Sequence, residues 1–281
     1  MEGSLDVWTA KPTGLGPVKV GFGLVLGAVA VGCLLAGPGY LALLLGALLS
    51  VAAVELVRAL APKGATRTWP VVIAAVLAFQ ALAYRRGEAA FEWCPLVLAA
   101  SFVAVVARIL ADRERGEVVR TLAASLWAVT YVGFLGSFVL VVRGMPHGFR
   151  LTLALGLMAV LNDTGAFVVG SLFGKRALAP SLSPSKTREG ALGGLAVTLL
   201  VGVVAAVWMD PPFGWAMAMA LAVAVSVAGM AGDLAETMIK RDLGREDFGR
   251  LLPGHGGALD RMGSLLFAAP TFFLLARLFL R

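Results

Sequence analysis

The chain has 281 residues, of which 59% are hydrophobic and only 15% charged, with a formal net charge of +7. A soluble domain of this length does not need so much apolar sequence, so the composition excludes an ordinary water-soluble enzyme and predicts an all-α, polytopic integral membrane protein. Its two cysteines, Cys33 and Cys94, both lie in apolar runs, where they read as small packing or lipid-facing residues.

In chain order, residues 1–17 form a short polar tail with Glu2, Asp6 and Lys11. No cleavable signal is expected, because the first apolar run is not followed by a small-residue cleavage site. About nine spans are predicted, at roughly 18–36, 39–58, 69–85, 93–111, 121–143, 151–173, 191–209, 214–238 and 262–280. Each is near the about 20 residues a helix needs to cross a bilayer. Gly23 and Gly27 in the first span form a G-x-x-x-G pair, a helix-packing pattern that leaves a homodimer open. Glu55, Arg58 and Pro62-Lys63-Gly64 close the second span, and Asp210-Pro211-Pro212 turns the chain between the seventh and eighth. There is no internal repeat and no linker that would separate soluble domains. Residues 1–150 form an N-terminal transmembrane part of about five spans, and residues 151–281 form a second part that carries most of the polar motifs.

Loop charge predicts orientation, because basic loops stay on the cytoplasmic side. Counted alternately, the N-terminus and the loops after spans two, four, six and eight hold 18 of the 24 basic residues. This bias predicts a cytoplasmic N-terminus, cytoplasmic 6–7 and 8–9 loops and an external C-terminus. It makes the positive charge an inner-leaflet feature suited to anionic lipid. Charge spread over short loops between spans offers no nucleic-acid surface, so no nucleic-acid partner is expected.

Three polar stretches interrupt the second part. The first, Asn162-Asp163-Thr164-Gly165-Ala166, lies inside the sixth span. A carboxylate there costs several kcal/mol unless it is paired or faces a cavity, so Asp163 marks a buried polar site; the alternative is a polar residue that packs helices. The second is the 6–7 loop, Gly174 to Gly190, where Ser183, Ser185 and Thr187 offer hydroxyls and Lys186 and Arg188 offer charge. Those groups suit a triphosphate, although an ordinary basic inner loop has the same composition. This is not a P-loop: the spacing from Gly170 to Gly174 is one residue short, and Arg176 stands where Ser or Thr is required.

The third stretch runs from Gly229 to Ser264. If its first part is helical, Asp233, Glu236, Thr237 and Lys240 fall at i, i+3, i+4 and i+7 and share one face. Pro253-Gly254 ends any helix, and Gly256 and Gly257 let backbone amides approach a ligand closely. His255 reads as a substrate contact, a general base, a phosphate ligand or a turn residue. Asp260 and Arg261 open the last span. Carboxylates on a helix, a glycine turn and a further carboxylate suit a metal-bound phosphate substrate.

Together these stretches resemble the CDP-diacylglycerol synthases, also called phosphatidate cytidylyltransferases. The resemblance rests on Gly232-Asp233-Leu234, Glu236-Thr237, Lys240-Arg241, Asp247, Pro253 to Gly257 and Leu259-Asp260-Arg261, on the D-T-G-A run at Asp163 and on the S-P-x-K-T-x-E-G run from Ser183 to Gly190. It covers about Asp163 to Ser264 closely and is looser at Glu55-Leu56-Val57-Arg58; elsewhere it is only hydropathy. It implies transfer of a cytidylyl group from CTP to phosphatidic acid, with Mg2+ as cofactor, in a bacterial inner membrane with the site facing the cytoplasm. It makes residues 151–281 the catalytic region. The implied metal ligands are Asp233 and Asp260, with Asp163 as a third candidate. Asp233, Asp260, His255, Lys240 and Arg241 would be catalytic. Lys186, Ser183, Thr187, Arg188, Glu236, Thr237, Gly256, Gly257 and Arg261 would bind substrate.

Two positions depart from the family pattern. Glu246 stands where Lys is usual before Asp247, and Gly263 stands where an Asp is usual after the Asp260-Arg261 pair. Position 263 is one helical turn beyond Asp260, so the gap reads as a missing carboxylate for which Glu246 or Asp247 would substitute. On that reading Gly263→Asp raises activity or lowers the Mg2+ requirement, and Gly263→Ala does neither. Three alternatives stand beside the main reading. One is a CTP-dependent lipid kinase or a cytidylyltransferase for another lipid phosphate. Another is a transporter, which would show inverted repeats and a midplane site. The last is a catalytically weakened relative.

Overall fold

The computed structural model describes residues 17–61, 65–112, 117–209, 213–249 and 256–280, and within them all side chains except those of 17–24, 65 and 66. The helices are α1 (Pro17–Ala36), α2 (Pro38–Leu60), α3 (Trp69–Arg86), α4 (Cys94–Leu110), α5 (Val118–Trp127), α6 (Leu135–Gly144), α7 (Gly148–Phe173), α8 (Arg188–Trp208), α9 (Trp215–Asp242) and α10 (Leu259–Phe279). Pro38, Pro70 and Pro95 sit in the first turns of α2, α3 and α4, where the missing N–H has no intrahelical partner to lose. The protein is an all-α polytopic membrane protein.

Each of the nine expected spans has a helical counterpart. Seven helical segments among the described residues are long and apolar enough to cross a bilayer. One of the seven, Trp69–Leu110, doubles back at the 3₁₀ turn Gly87–Trp93, so that Asp112 beyond α4 pairs with Arg67 before α3 at 2.5 Å, and α1 adds the apolar stretch Val25–Ala36 among its described side chains. The fifth span holds an irregularity that the sequence did not announce. Between α5 and α6, residues Ala128–Phe134 form a π-helical turn. There Thr130 Oγ1 donates to the Leu126 carbonyl at 2.9 Å and to the Trp127 carbonyl at 3.1 Å, and hydroxyl insertion of this kind loosens the regular ladder. Gly133, within the turn, accepts Gln80 Nε2 at 3.3 Å and lets the backbone of Val76 come close.

The core joins α2, α3, α6 and α10 across the division expected at residue 150. Phe91 and Phe273 both pack on Phe138, with ring centroids 5.2 and 5.5 Å away. Glycine closes the α7–α8 contact: a Cβ at Gly193 would run into Val169, and one at Gly165 would lie 2.8 Å from Val197. Large apolar side chains such as Leu43, Val103, Leu172 and Trp208 face outward, the surface a bilayer would cover.

A small element departs from the all-helical expectation. The 6–7 connection folds as an antiparallel hairpin of β1 (Ala177–Ala179) and β2 (Ser183–Thr187), with Ala177 opposite Thr187 and Ala179 opposite Ser183. Thr187 then caps α8, its hydroxyl accepting the Gly190 N–H at 3.1 Å. The hairpin, the C-terminal ends of α2 and α9 and the start of α10 gather at one end of the bundle, through Lys186–Asp233 and Glu55–Leu259 contacts. At the other end an Arg277–Glu88 ion pair of 3.0 Å ties α10 to the 3₁₀ turn.

Candidate active site

The last three turns of α9 carry the polar face that the spacing predicts. Asp233 Oδ2 pairs with Lys186 Nζ at 2.5 Å, and Thr237 lies 3.4 Å from the same ammonium. The hairpin therefore brings Lys186 from a stretch far away in sequence onto the carboxylate of α9. Asp233, Lys186, Asp163, Ser185 and Thr187 line one cavity of about 500 Å³, whose apolar wall includes Phe167, Leu178 and Met230.

Asp163 enters that cavity from α7 because its neighbour Asn162 is locked. Asn162 is buried, and its Oδ1 accepts Ser226 Oγ at 2.7 Å and Thr198 Oγ1 at 3.2 Å. One amide thus ties α7 to α8 and α9 and fixes the rotation of α7. Asp163 itself accepts Ser264 Oγ at 2.9 Å and Asn162 Nδ2 at 3.4 Å.

A second cluster continues along the same face. Lys240 Nζ bridges Glu236 Oε1 at 2.7 Å and Asp260 Oδ1 at 2.5 Å. All three side chains are largely buried, at 15%, 4% and 4% exposure, and two carboxylates around one ammonium keep the buried charge compensated. Asp260 Oδ2 also accepts the N–H groups of Gly257 at 2.6 Å and Phe248 at 3.2 Å. Lys240 further lies 5.5 Å from the ring centre of Phe248.

Gly263 corrects an expectation. The space a side chain would need there is filled by the Glu236 carboxylate, which an added Cβ would strike directly. Gly263 also lets α9 approach, since a Cβ at Gly232 would lie 2.5 Å from the Gly263 carbonyl oxygen. The position is a packing glycine, and the carboxylate beside it is Glu236. Glu246 and Asp247 are exposed; the Asp247 carboxylate lies beside Gly256, where a Cβ would meet Asp247 Oδ1 at 2.9 Å and Asp260 Oδ2 at 2.8 Å. Gly256 has φ +78°, a conformation that favours glycine.

The remaining candidates are spread more widely. Ser183 is buried in the hairpin 3.4 Å from Ser185 Oγ. Arg188, Arg241 and Arg261 are exposed and do not line the cavity. His255, with Pro253 and Gly254, lies outside the described residues, as does the expected turn at 210–212. Sequence reasoning missed Asn162, Ser226, Thr198 and Ser264 as supports, and it gave Glu55 no role. The available signal was a polar or acidic residue inside an otherwise apolar span.

The side chains suit a divalent cation shared with substrate better than a closed metal cage. Among the described residues there is no cluster of three or more His, Cys, Asp or Glu side chains that could hold a metal. Asp163 and Asp233 present carboxylates to one cavity, and the Lys186 ammonium already places positive charge against Asp233. Mg2+ is commonly held by one or two carboxylates together with waters and substrate phosphates, and this donor set fits that pattern. Asp260 does not line the cavity, and its oxygens already meet two backbone N–H groups and Lys240.

Comparison with known proteins agrees with the motifs. A family described as the cytidylyltransferase family matches residues 17–279. A phosphatidate cytidylyltransferase of Staphylococcus saprophyticus is 38% identical over 153 residues, 54% of this chain and 58% of that protein. One from Brucella suis is 39% identical over 150 residues, 53% of this chain and 55% of that protein. The chain thus spans a little over half the length of the curated relatives it matches.

Proposed function

The chain belongs to the cytidylyltransferase family, and we propose that it transfers the cytidylyl group of CTP to phosphatidic acid, giving CDP-diacylglycerol and pyrophosphate. A phosphate oxygen of the lipid attacks the α-phosphorus of CTP. The new P–O bond forms as the bond from the α-phosphorus to the α–β bridging oxygen breaks, and its electrons leave with pyrophosphate. The nucleophile is already an anion, so the protein needs no covalent intermediate. Its task is to bring two polyanions together and to neutralise charge on the leaving group.

The observation that carries this reading is the cavity where Asp163, Asp233 and Lys186 meet beside an apolar wall. Lys186 would grip a phosphate. Asp163 and Asp233 would hold Mg2+, which when bound supplies charge neutralisation at the nucleotide phosphates. Lys240, set between Glu236 and Asp260, would hold developing negative charge at the inner end of the same helix face. Arg241, Arg261, Arg188, Gly256, Gly257 and His255 remain proposed contacts. The basic bias of its loops supports a cytoplasmic position for this end of the bundle. A homodimer belongs to the same reading, supported by the open space around Gly27 on α1, a surface a second helix could meet.

Purified protein incubated with CTP, phosphatidic acid and Mg2+ is expected to release pyrophosphate and CDP-lipid in equal amounts. A phosphorylated lipid with CDP released would identify a kinase, and no nucleotide chemistry at all would end the reading.

A further inference from the structure

Glu55 is a carboxylate near the end of an apolar helix, only 9% exposed. A charge so placed is costly unless something compensates it. Among the described residues no Lys, Arg or His nitrogen lies within 4 Å of its carboxylate. Its partners are backbone donors instead. Oε2 accepts the Leu259 N–H at 3.0 Å, and the Ala258 N–H also turns to it. Those groups open α10, a helix with no side-chain cap of its own. The cap comes from α2, and the negative charge meets the positive end of the α10 dipole.

Glu55 also meets Gly249 and Gly257, which lie on either side of residues 250–255 in the chain. A Cβ built on Gly249 or on Gly257 would run into its carboxylate first. Those glycines adjoin the donors that aim Asp260: the Gly257 N–H itself, and the Phe248 N–H one residue before Gly249. Asp260 in turn holds Lys240. The chain of contact therefore runs from Glu55, through backbone, to Asp260 and Lys240.

We propose that Glu55 is a positioning residue that clamps Gly249, Gly257 and the first turn of α10 together, and so aims Asp260 at Lys240 without touching substrate. Its effect on rate rests on the cytidylyl-transfer reading, but its effect on structure does not, and the test separates the two. Glu55→Ala is expected to lower kcat roughly ten- to a hundredfold, the loss of a charge-assisted contact, with KM for CTP little changed. Glu55→Gln keeps an oxygen acceptor and should recover most of that loss. Independently of activity, amide exchange of the peptide spanning 256–262 should speed up in Glu55→Ala and stay near wild type in Glu55→Gln.

A double-mutant cycle supplies the second arm. Gly249→Ala alone should destabilise the protein, because its methyl strikes Glu55. In the Glu55→Ala background the same substitution should be milder, a non-additivity expected of residues in contact. Gly249→Ala in the Glu55→Gln background, which keeps the bulk, should remain harmful. If Glu55→Ala does not fold, Glu55→Asp, which keeps the carboxylate but shortens its reach, gives the same cycle: Gly249→Ala should be milder there than in the wild type, and equal cost in both backgrounds overturns the clamp. Wild-type exchange at 256–262 in Glu55→Ala, or strictly additive effects with Gly249→Ala, would overturn it. A wild-type protein with no transferase activity would remove the kinetic arm alone, while exchange and the cycle would still decide the clamp.

Discussion

Lys186 is, among the described residues, the one cation that lines the cavity, and it reaches Asp233 at 2.5 Å. Lys186→Ala should leave the helices intact, because the residue sits on a hairpin edge, and should lower kcat/KM roughly ten- to a hundredfold. Steady-state kinetics with each substrate varied in turn will check this; unchanged values for both would take the hairpin out of the site. Asp260→Asn leaves Lys240 with one carboxylate in place of two. Lys240 stays paired with Glu236, so the cost is that of weakened charge-assisted hydrogen bonds, about 1.5–3 kcal/mol; this variant should lose nearly all activity and melt earlier, as activity and thermal unfolding on the same preparation will report. At 263 the expectation is reversed from the one the motif alone suggests: Gly263→Ala and Gly263→Asp should both reduce activity, since either displaces Glu236. The helix face of Asp233, Glu236, Thr237 and Lys240 was legible because residue spacing translates directly into angle on a helix. Gly263 was not, because a motif records the side chain that is absent but says nothing of the atom that fills its place. Glu55 was not either: its partner Leu259 stands 204 residues away, beyond the reach of local pattern.

The apolar stretches became helices because length and hydropathy suffice to specify a helix where backbone groups must satisfy one another. Two elements escaped that logic. The hairpin is short, polar and interrupted by Pro184, with none of the alternating apolar pattern that marks a strand. The π-helical turn depends on where the Thr130 hydroxyl points, which periodicity does not encode. The α7–α8 contact offers a test at this scale. Gly193→Ala pushes a methyl into Val169, and overpacking of this kind costs about 1–3 kcal/mol. Gly156, on the same helix α7, has open space around it, and Gly156→Ala should be neutral or mildly stabilising. Thermal unfolding in one detergent should separate the two; equal melting points would mean that the helices are not held as closely as Gly193 requires.

The Lys186–Asp233 and Lys240–Asp260 pairs lie at one end of the bundle, and the ion pair of Arg277 with Glu88 lies at the other. In a background with Cys33 and Cys94 replaced by Ala, a cysteine at exposed Glu246 should react with a membrane-impermeant reagent only after cell lysis. One at exposed Pro146, in the turn between α6 and α7, should react in intact cells. The opposite pattern would invert the molecule in the membrane. One-sidedness also has a consequence for traffic. On the proposed reading, a lipid in the monolayer beside Lys186 and Asp233 would reach the cavity by lateral diffusion alone, whereas one in the opposite monolayer would first have to turn over with its charged head crossing the hydrocarbon. The enzyme would therefore draw on and replenish a single sheet of lipid, and transbilayer exchange, a process outside this protein, would set how soon the other sheet shares in its product.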